Sequence, residues 1–151
     1  MKEMTQLDLR QYADRLRPRT YGGKSQLWCA IRRKWVARTP EEIVRQLVIQ
    51  ALIAHHYPIG RMAVERQFCV AKRRKRFDLL VYDAHMQPWL LIECKAPTIQ
   101  ISQKVFQQAA WYNVALRAPW LLVSNGMQSW CAHIDHQNQS WYFTESVPPL
   151  L

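Results

Sequence analysis

The chain has 151 residues, 49% of them hydrophobic, and its 21 Lys and Arg against 11 Asp and Glu give a formal charge of +10 and a pI near 9.9. That length fits one compact domain that buries roughly two thirds of its unfolded surface, and the charge calls for a polyanionic partner, most economically nucleic acid. A mean hydropathy of -0.30, no apolar run near the roughly 18 residues of a membrane span and no signal-peptide core exclude a membrane protein and set a cytoplasmic expectation.

Residues 1 to 23 are polar and basic and end on the breaker Tyr21-Gly22-Gly23, so an N-terminal arm or peripheral helix is expected there, followed by a single domain over 24 to 151. Gln26 to Ile31 reads as a short extended piece, and Arg32-Arg33-Lys34 as a solvated basic face. Thr39-Pro40-Glu41-Glu42 is a helix start, with Thr39 as N-cap, Pro40 at the first helical position and two acids over the positive end of the helix dipole. That helix is expected to run to about His56, apolar over most of its circumference and packed on a sheet.

Met62 to Ala71 and Lys75 to Asp83 read as two strands of a hairpin with a basic tip at Lys72-Arg73-Arg74. Five consecutive cations, Lys72, Arg73, Arg74, Lys75 and Arg76, repel one another and gain from contact with phosphate. A third strand covers Pro88 to Lys95. Ser102 caps a second helix to about Leu116. Pro119 to Ser124 and Met127 to Asp135 are strands joined by Asn125-Gly126, a type I′ hairpin signal, and residues 140 to 146 add an edge strand. The order predicts an α/β fold with a mixed sheet. Trp111 and Trp120, with apolar neighbours, are expected in the core. His55-His56 and the His133 to His136 stretch read as surface. The four cysteines lack any CxxC or CxH spacing, so reduced, partly buried thiols are expected.

The chemistry lies in two apolar runs that carry charge. Strand alternation puts Glu93 and Lys95 on one face of the third strand, and a neighbouring antiparallel strand brings Asp78 beside Glu93. Two carboxylates that close repel, a divalent cation is the ordinary solution to that repulsion, and oxygen ligands favour Mg²⁺ or Mn²⁺. The backbone carbonyl of Cys94 supplies a further ligand. A Lys beside them stabilises charge developing on a phosphoryl group, so the set describes metal-assisted phosphodiester hydrolysis. The bland reading is a cross-strand ion pair with no chemistry.

Asp78 followed by Glu93-Cys94-Lys95 resembles the PD-(D/E)XK nuclease signature, and Gln108-Ala109-Ala110-Trp111-Tyr112 fits the QxxxY motif of its RecB-like and type I restriction members. Together with Arg38 to Gln46, the Phe77 to Asp83 strand and Leu122 to Trp130, the likeness is to the N-terminal nuclease domain of type I restriction enzyme R subunits, over roughly residues 28 to 135. The family's Pro before the first acid is Phe77 here. The resemblance implies a restriction-endonuclease-like core, a central mixed β-sheet flanked by α-helices. It implies Asp78 and Glu93 as metal ligands, Lys95 as catalytic, Glu42 on a metal or its water, and Gln108 and Tyr112 positioning DNA. A metal-dependent DNA endonuclease in restriction or defence follows; with no Walker motif or helicase region in these residues it acts alone, borrows partners or is a degenerate stand-alone relative, and since one site makes one nick a homodimer is a further expectation. The alternatives are a non-catalytic nucleic-acid-binding module and a partner-binding subunit of a restriction or defence complex.

Overall fold

The computed structural model describes residue 5 and residues 7–150. Its centre is a six-stranded mixed sheet, and two α-helices cover its faces. In chain order the elements are β1 (Pro18–Tyr21), β2 (Lys24–Cys29), β3 (Lys34–Ala37), α1 (Pro40–Ala54), β4 (Met62–Val64), β5 (Gln67–Val70), β6 (Arg73–Arg76), β7 (Leu79–Tyr82), β8 (Pro88–Cys94), α2 (Gln103–Leu116), β9 (Trp120–Ser124), β10 (Ser129–Asp135) and β11 (Ser140–Thr144). A 3-10 helix, Leu9–Arg15, precedes them and buries Leu9 and Tyr12.

The large sheet runs β11-β10-β9-β8-β7-β4. β8 and β9 are parallel, joined through α2, and the other neighbours are antiparallel. The two-residue period of a strand divides the core in two. Leu79, Val81, Leu90 and Ile92 pack on α1 through Val44, Val48, Ile49 and Leu52, while Leu80, Leu91, Leu121 and Val123 pack on α2 through Phe106, Ala109 and Ala110. Both helices start where their caps predict. Thr39 accepts from the Glu42 amide and Ser102 from the Val105 amide. The link from α2 to β9 is held by Asn113, whose buried side chain donates to and accepts from the Ala118 backbone.

Several elements depart from the sequence expectation. Within residues 1 to 23, where an arm or peripheral helix is expected, Leu9–Arg15 is a 3-10 helix and Pro18–Tyr21 is β1, which joins β2 and β3 in a three-stranded antiparallel sheet through the Gly22-Gly23 turn. Both glycines have positive φ, which a two-residue turn of this hand requires. Residues 1 to 4 and 6 of the expected arm lie outside the described residues.

The hairpin over 62 to 83 is broken in the same way on both sides. β4 and β7 pair within the large sheet, whereas β5 and β6 pair only with each other, as a two-stranded excursion. Its turn is Ala71-Lys72, so the basic residues run along β6 rather than sitting at the tip. Asn125-Gly126 does not form a two-residue type I′ turn. Ser124 pairs with Ser129, and the four-residue loop is closed by the Asn125 side chain accepting from the amides of Met127 and Gln128. Asn favours such side-chain turns as readily as hairpins, and the motif alone does not separate the two. Trp111 is 48% exposed, on the solvent side of α2, against the expectation of a core residue.

All four cysteines are free; Cys29, Cys94 and Cys131 are buried and Cys69 is exposed. Burial pushes the Cys131 thiol up to about 12, so it is protonated and inert at neutral pH.

Candidate functional site

The register Leu79↔Ile92 brings Asp78, one residue before β7, opposite Glu93 near the end of β8. The chain bends at Asp78 instead of continuing the ladder, and its side chain takes over the backbone's role. The Cys94 amide donates to Asp78 Oδ2 at 2.7 Å. The N–H and C=O of one strand residue lie on the same edge, so the Cys94 carbonyl opens toward Asp78 as well. The Lys95 amide extends the β8–β9 ladder by donating to Ser124 O at 2.8 Å, which fixes where the Lys95 side chain leaves the strand.

Asp78 and Glu93 face each other just beyond the β7–β8 ladder. Burial and the Asp78 carboxylate beside it hold Glu93 well above its ordinary value of 4.5, while Lys95 pulls the other way. A buried carboxyl beside a second carboxylate favours its protonated form unless a cation joins the two. The ends of β7 and β8 thus bring Asp78, Glu93 and Lys95 into one neighbourhood.

The helix acid is placed differently. Glu42 is buried on the first turn of α1, and both its oxygens are engaged. Arg32 Nη2 and Gln46 Nε2 donate to Oε2 at 2.7 and 3.0 Å, and Arg45 Nη1 donates to Oε1 at 2.8 Å. The same Arg45 guanidinium reaches Asp78 Oδ1 through Nη2 at 3.0 Å, so Glu42 touches the carboxylate pair through Arg45. Glu65 closes the network, meeting Arg32 at 3.2 Å and Arg45 at 3.4 Å. Burial works against the charge of Arg45, but Glu42 and Asp78 more than restore it, and its pKa is raised.

Arg45, Arg32 and Glu65 were not singled out by sequence reading. Arg45 lies three residues after Glu42, where two helical side chains share a face, and that spacing was the available signal. Arg32 belongs to the basic knot expected to be solvated, yet its side chain is only 15% exposed because it is paired with Glu42.

The QxxxY pair lies beside the basic hairpin. Gln108 Nε2 donates to Tyr112 Oη at 3.1 Å, and Lys75 Nζ sits 5.0 Å from the centre of the Tyr112 ring. The motif thus anchors β6, whose other end leads through Phe77 into Asp78. Lys72, Arg73, Arg74 and Arg76 are exposed.

Among the described residues no group of three or more His, Cys, Asp and Glu is arranged to hold a metal ion. His55 caps α1 through the Ala51 carbonyl, and His136 contacts the Ala118 carbonyl. The set Asp78, Glu93 and a carbonyl still fits Mg²⁺, which uses one or two carboxylates and leaves the remaining positions to water and phosphate. No helix among the described residues is long and apolar enough to cross a membrane.

No curated protein matches the chain. The family model of the type I restriction enzyme R protein N terminus matches residues 40–148, from the first turn of α1 to just past β11. That span takes in both helices and the whole six-stranded sheet with its mixed strand order, and over it the chain belongs to the type I restriction enzyme R protein N-terminal family.

Proposed function

We propose that this chain is a Mg²⁺- or Mn²⁺-dependent DNA endonuclease that hydrolyses phosphodiester bonds at the Asp78–Glu93 pair, in the setting of a restriction or defence system. The observation that carries this reading is the placement of Asp78 opposite Glu93 at the end of β8, tied there by the Cys94 amide, in a strand that continues into Lys95. Such a pair loses little when its proton is exchanged for a dication.

Asp78, Glu93 and the Cys94 carbonyl would hold the metal. When bound, it supplies charge against the phosphate oxygens and lowers the pKa of a water molecule. Lys95 presents a compact cation to the scissile phosphate and offsets the negative charge that grows in the transition state. Arg45 holds Asp78 in orientation, and Glu42 holds Arg45. Glu42 enters the proposal as a positioning residue, in place of the direct metal contact the resemblance implied. Lys72, Arg73, Arg74 and Arg76 draw in DNA by neutralising backbone phosphates, while Gln108 and Tyr112 keep β6 at the mouth of the site through Lys75. One site cuts one strand, so duplex scission needs two copies or two visits.

A second reading has its own support. With Glu93 protonated, as its raised pKa favours, the carboxylates of Glu42, Glu65 and Asp78 balance the cations of Arg32, Arg45 and Lys95, and the cluster is neutral without a metal. That balance suits a non-catalytic DNA-binding module. Plasmid cleavage in Mg²⁺ or Mn²⁺, run with calorimetric Mn²⁺ titration, separates the two. The nuclease reading predicts that Asp78→Ala and Glu93→Gln weaken Mn²⁺ binding and abolish cleavage while DNA binding persists. Cleavage that survives both substitutions overturns it, and wild type that binds DNA but never cuts favours the module.

A further inference from the structure

The sheet β1–β2–β3 lies before the family-matched span. Between Asp14 and Glu41 the sequence has eight Lys and Arg and no carboxylate. Leu27 and Cys29 of β2 point inward and are fully buried. Strand alternation and the register therefore turn Arg17, Arg19, Tyr21, Lys24, Trp28 and Trp35 to the outer face.

These side chains form a row. Arg17 lies 5.6 Å from the Trp28 ring centre, Trp28 packs edge-on to Trp35 at 5.5 Å, Arg19 lies 4.3 Å from Trp35, and Arg19 lies 4.8 Å from Tyr21 on its other side. Gln26 accepts from Arg19 Nε at 2.7 Å and fixes the guanidinium plane. An arginine held face-on against rings keeps its N–H edge for phosphate and loses little freedom when it binds one. Tyr21, at the end of the row beside the Gly22-Gly23 turn, is 69% exposed, with a free π-face next to a cation.

We infer that this outer face binds a single-stranded nucleic acid, with Arg17, Arg19 and Lys24 on successive phosphates and a base stacked on Tyr21. Charge complementarity selects a polyanion, since the face carries no acid to repel one. The exposed ring selects a single strand, because only unpaired bases offer their faces. The loop after β2 connects this surface to the acidic site: Arg32, between β2 and β3, bonds Glu42 and Glu65. The inference stands apart from catalysis, since it needs no metal.

The test is fluorescence anisotropy of a labelled single-stranded oligonucleotide and of the matching duplex over a salt series, in EDTA, with the full chain. Wild type is expected to bind the single strand more tightly than the duplex. Tyr21→Ala is expected to weaken single-strand binding at least about fivefold, and Arg17→Ala with Arg19→Ala to reduce the slope of log K against log salt by about 1.4. Arg19→Lys keeps the charge but not the stacked plane, so it is expected to weaken binding with little change in slope. Lys24→Glu sits on an exposed turn and tests the face even where the double variant fails to fold. Affinities of Tyr21→Ala and Lys24→Glu within twofold of wild type would overturn the inference. So would tighter binding of the duplex, or equal competition by an acidic polypeptide. The assay runs in EDTA, so loss of this surface in Tyr21→Ala or Lys24→Glu is read separately from any loss of metal-dependent cleavage.

Discussion

Arg45 bridges Glu42 and Asp78 with the two ends of one guanidinium, Nη1 at 2.8 Å from Glu42 Oε1 and Nη2 at 3.0 Å from Asp78 Oδ1. The acid on the first turn of α1 and the acid before β7 are therefore parts of one buried ion network. Removing one partner from such a network leaves uncompensated charge in a poorly hydrated place, which costs far more than the net worth of the pair. Arg45→Ala is expected to lower stability by about 3–5 kcal/mol and to loosen Asp78, whereas Arg45→Lys keeps the charge, loses the fork and costs less. Urea unfolding measures both. A loss below about 1 kcal/mol for Arg45→Ala, the range of an exposed pair, would show that the network does not hold α1 to β7.

The raised Glu93 gives a pH signature whose sign is set by the direction of the shift. Glu93 titrates near 4.5 in the unfolded chain and well above it in the fold, so the folded protein retains the extra proton. Its contribution to stability is complete below 4.5 and is lost as pH rises through the raised folded value. In EDTA, the stability difference between wild type and Glu93→Gln is expected to fall with pH over that window. The slope approaches about 1.4 kcal/mol per pH unit where one whole proton separates the two states. Added Mg²⁺ competes with the proton, so its stabilising effect is expected to grow with pH. Midpoints of thermal unfolding across a pH series give the comparison. A difference that rises with pH would place the proton elsewhere.

The β5–β6 hairpin turns on two non-glycine residues with left-handed backbone, Ala71 at φ 49° and Lys72 at φ 63°. L-residues in that region are strained, typically by about 1 kcal/mol. Ala71→Gly is therefore expected to raise stability by several tenths of a kcal/mol without altering DNA affinity. Lys72→Gly relieves the same strain but removes a cation and flattens the salt dependence of DNA binding. Thermal melts and a salt-titrated binding series read the two effects independently. Equal DNA affinity for Lys72→Gly and wild type would remove the turn from the DNA-binding surface.

How much of this was legible in the sequence differed from element to element. α1 and α2 carried cap residues, and α1 an apolar surface broad enough to pack on a sheet, local signals that survive in the fold because tertiary packing agrees with them. The Asp78–Glu93 juxtaposition was legible too, since charged residues inside apolar strands announce themselves and a period of two assigns their face. The β1–β3 sheet was not, because strands such as Pro18–Tyr21 and Lys34–Ala37 are only four residues long, too short to show a period of two, and stand beside the cations Arg17, Arg32 and Arg33. Their order comes from cross-strand pairs and stacked arginines, which no single stretch displays. The fate of Glu42 was hidden for a related reason. Its partner Arg32 is ten residues away in sequence and Glu65 lies beyond the next turn, so only the fold reveals that the helix acid is already neutralised.

The account rests on Lys95 acting at a phosphate beside the Asp78–Glu93 pair, and the most direct test is the rate of plasmid nicking in Mg²⁺ by Lys95→Ala against wild type, with Mn²⁺ binding measured on the same samples. The prediction is that wild type nicks and that Lys95→Ala keeps its metal but loses about 10² to 10³ in rate, the usual size of one preorganised electrostatic contact. A Lys95→Ala protein that nicks as fast as wild type, or a wild type that leaves the plasmid intact in both Mg²⁺ and Mn²⁺, would contradict it.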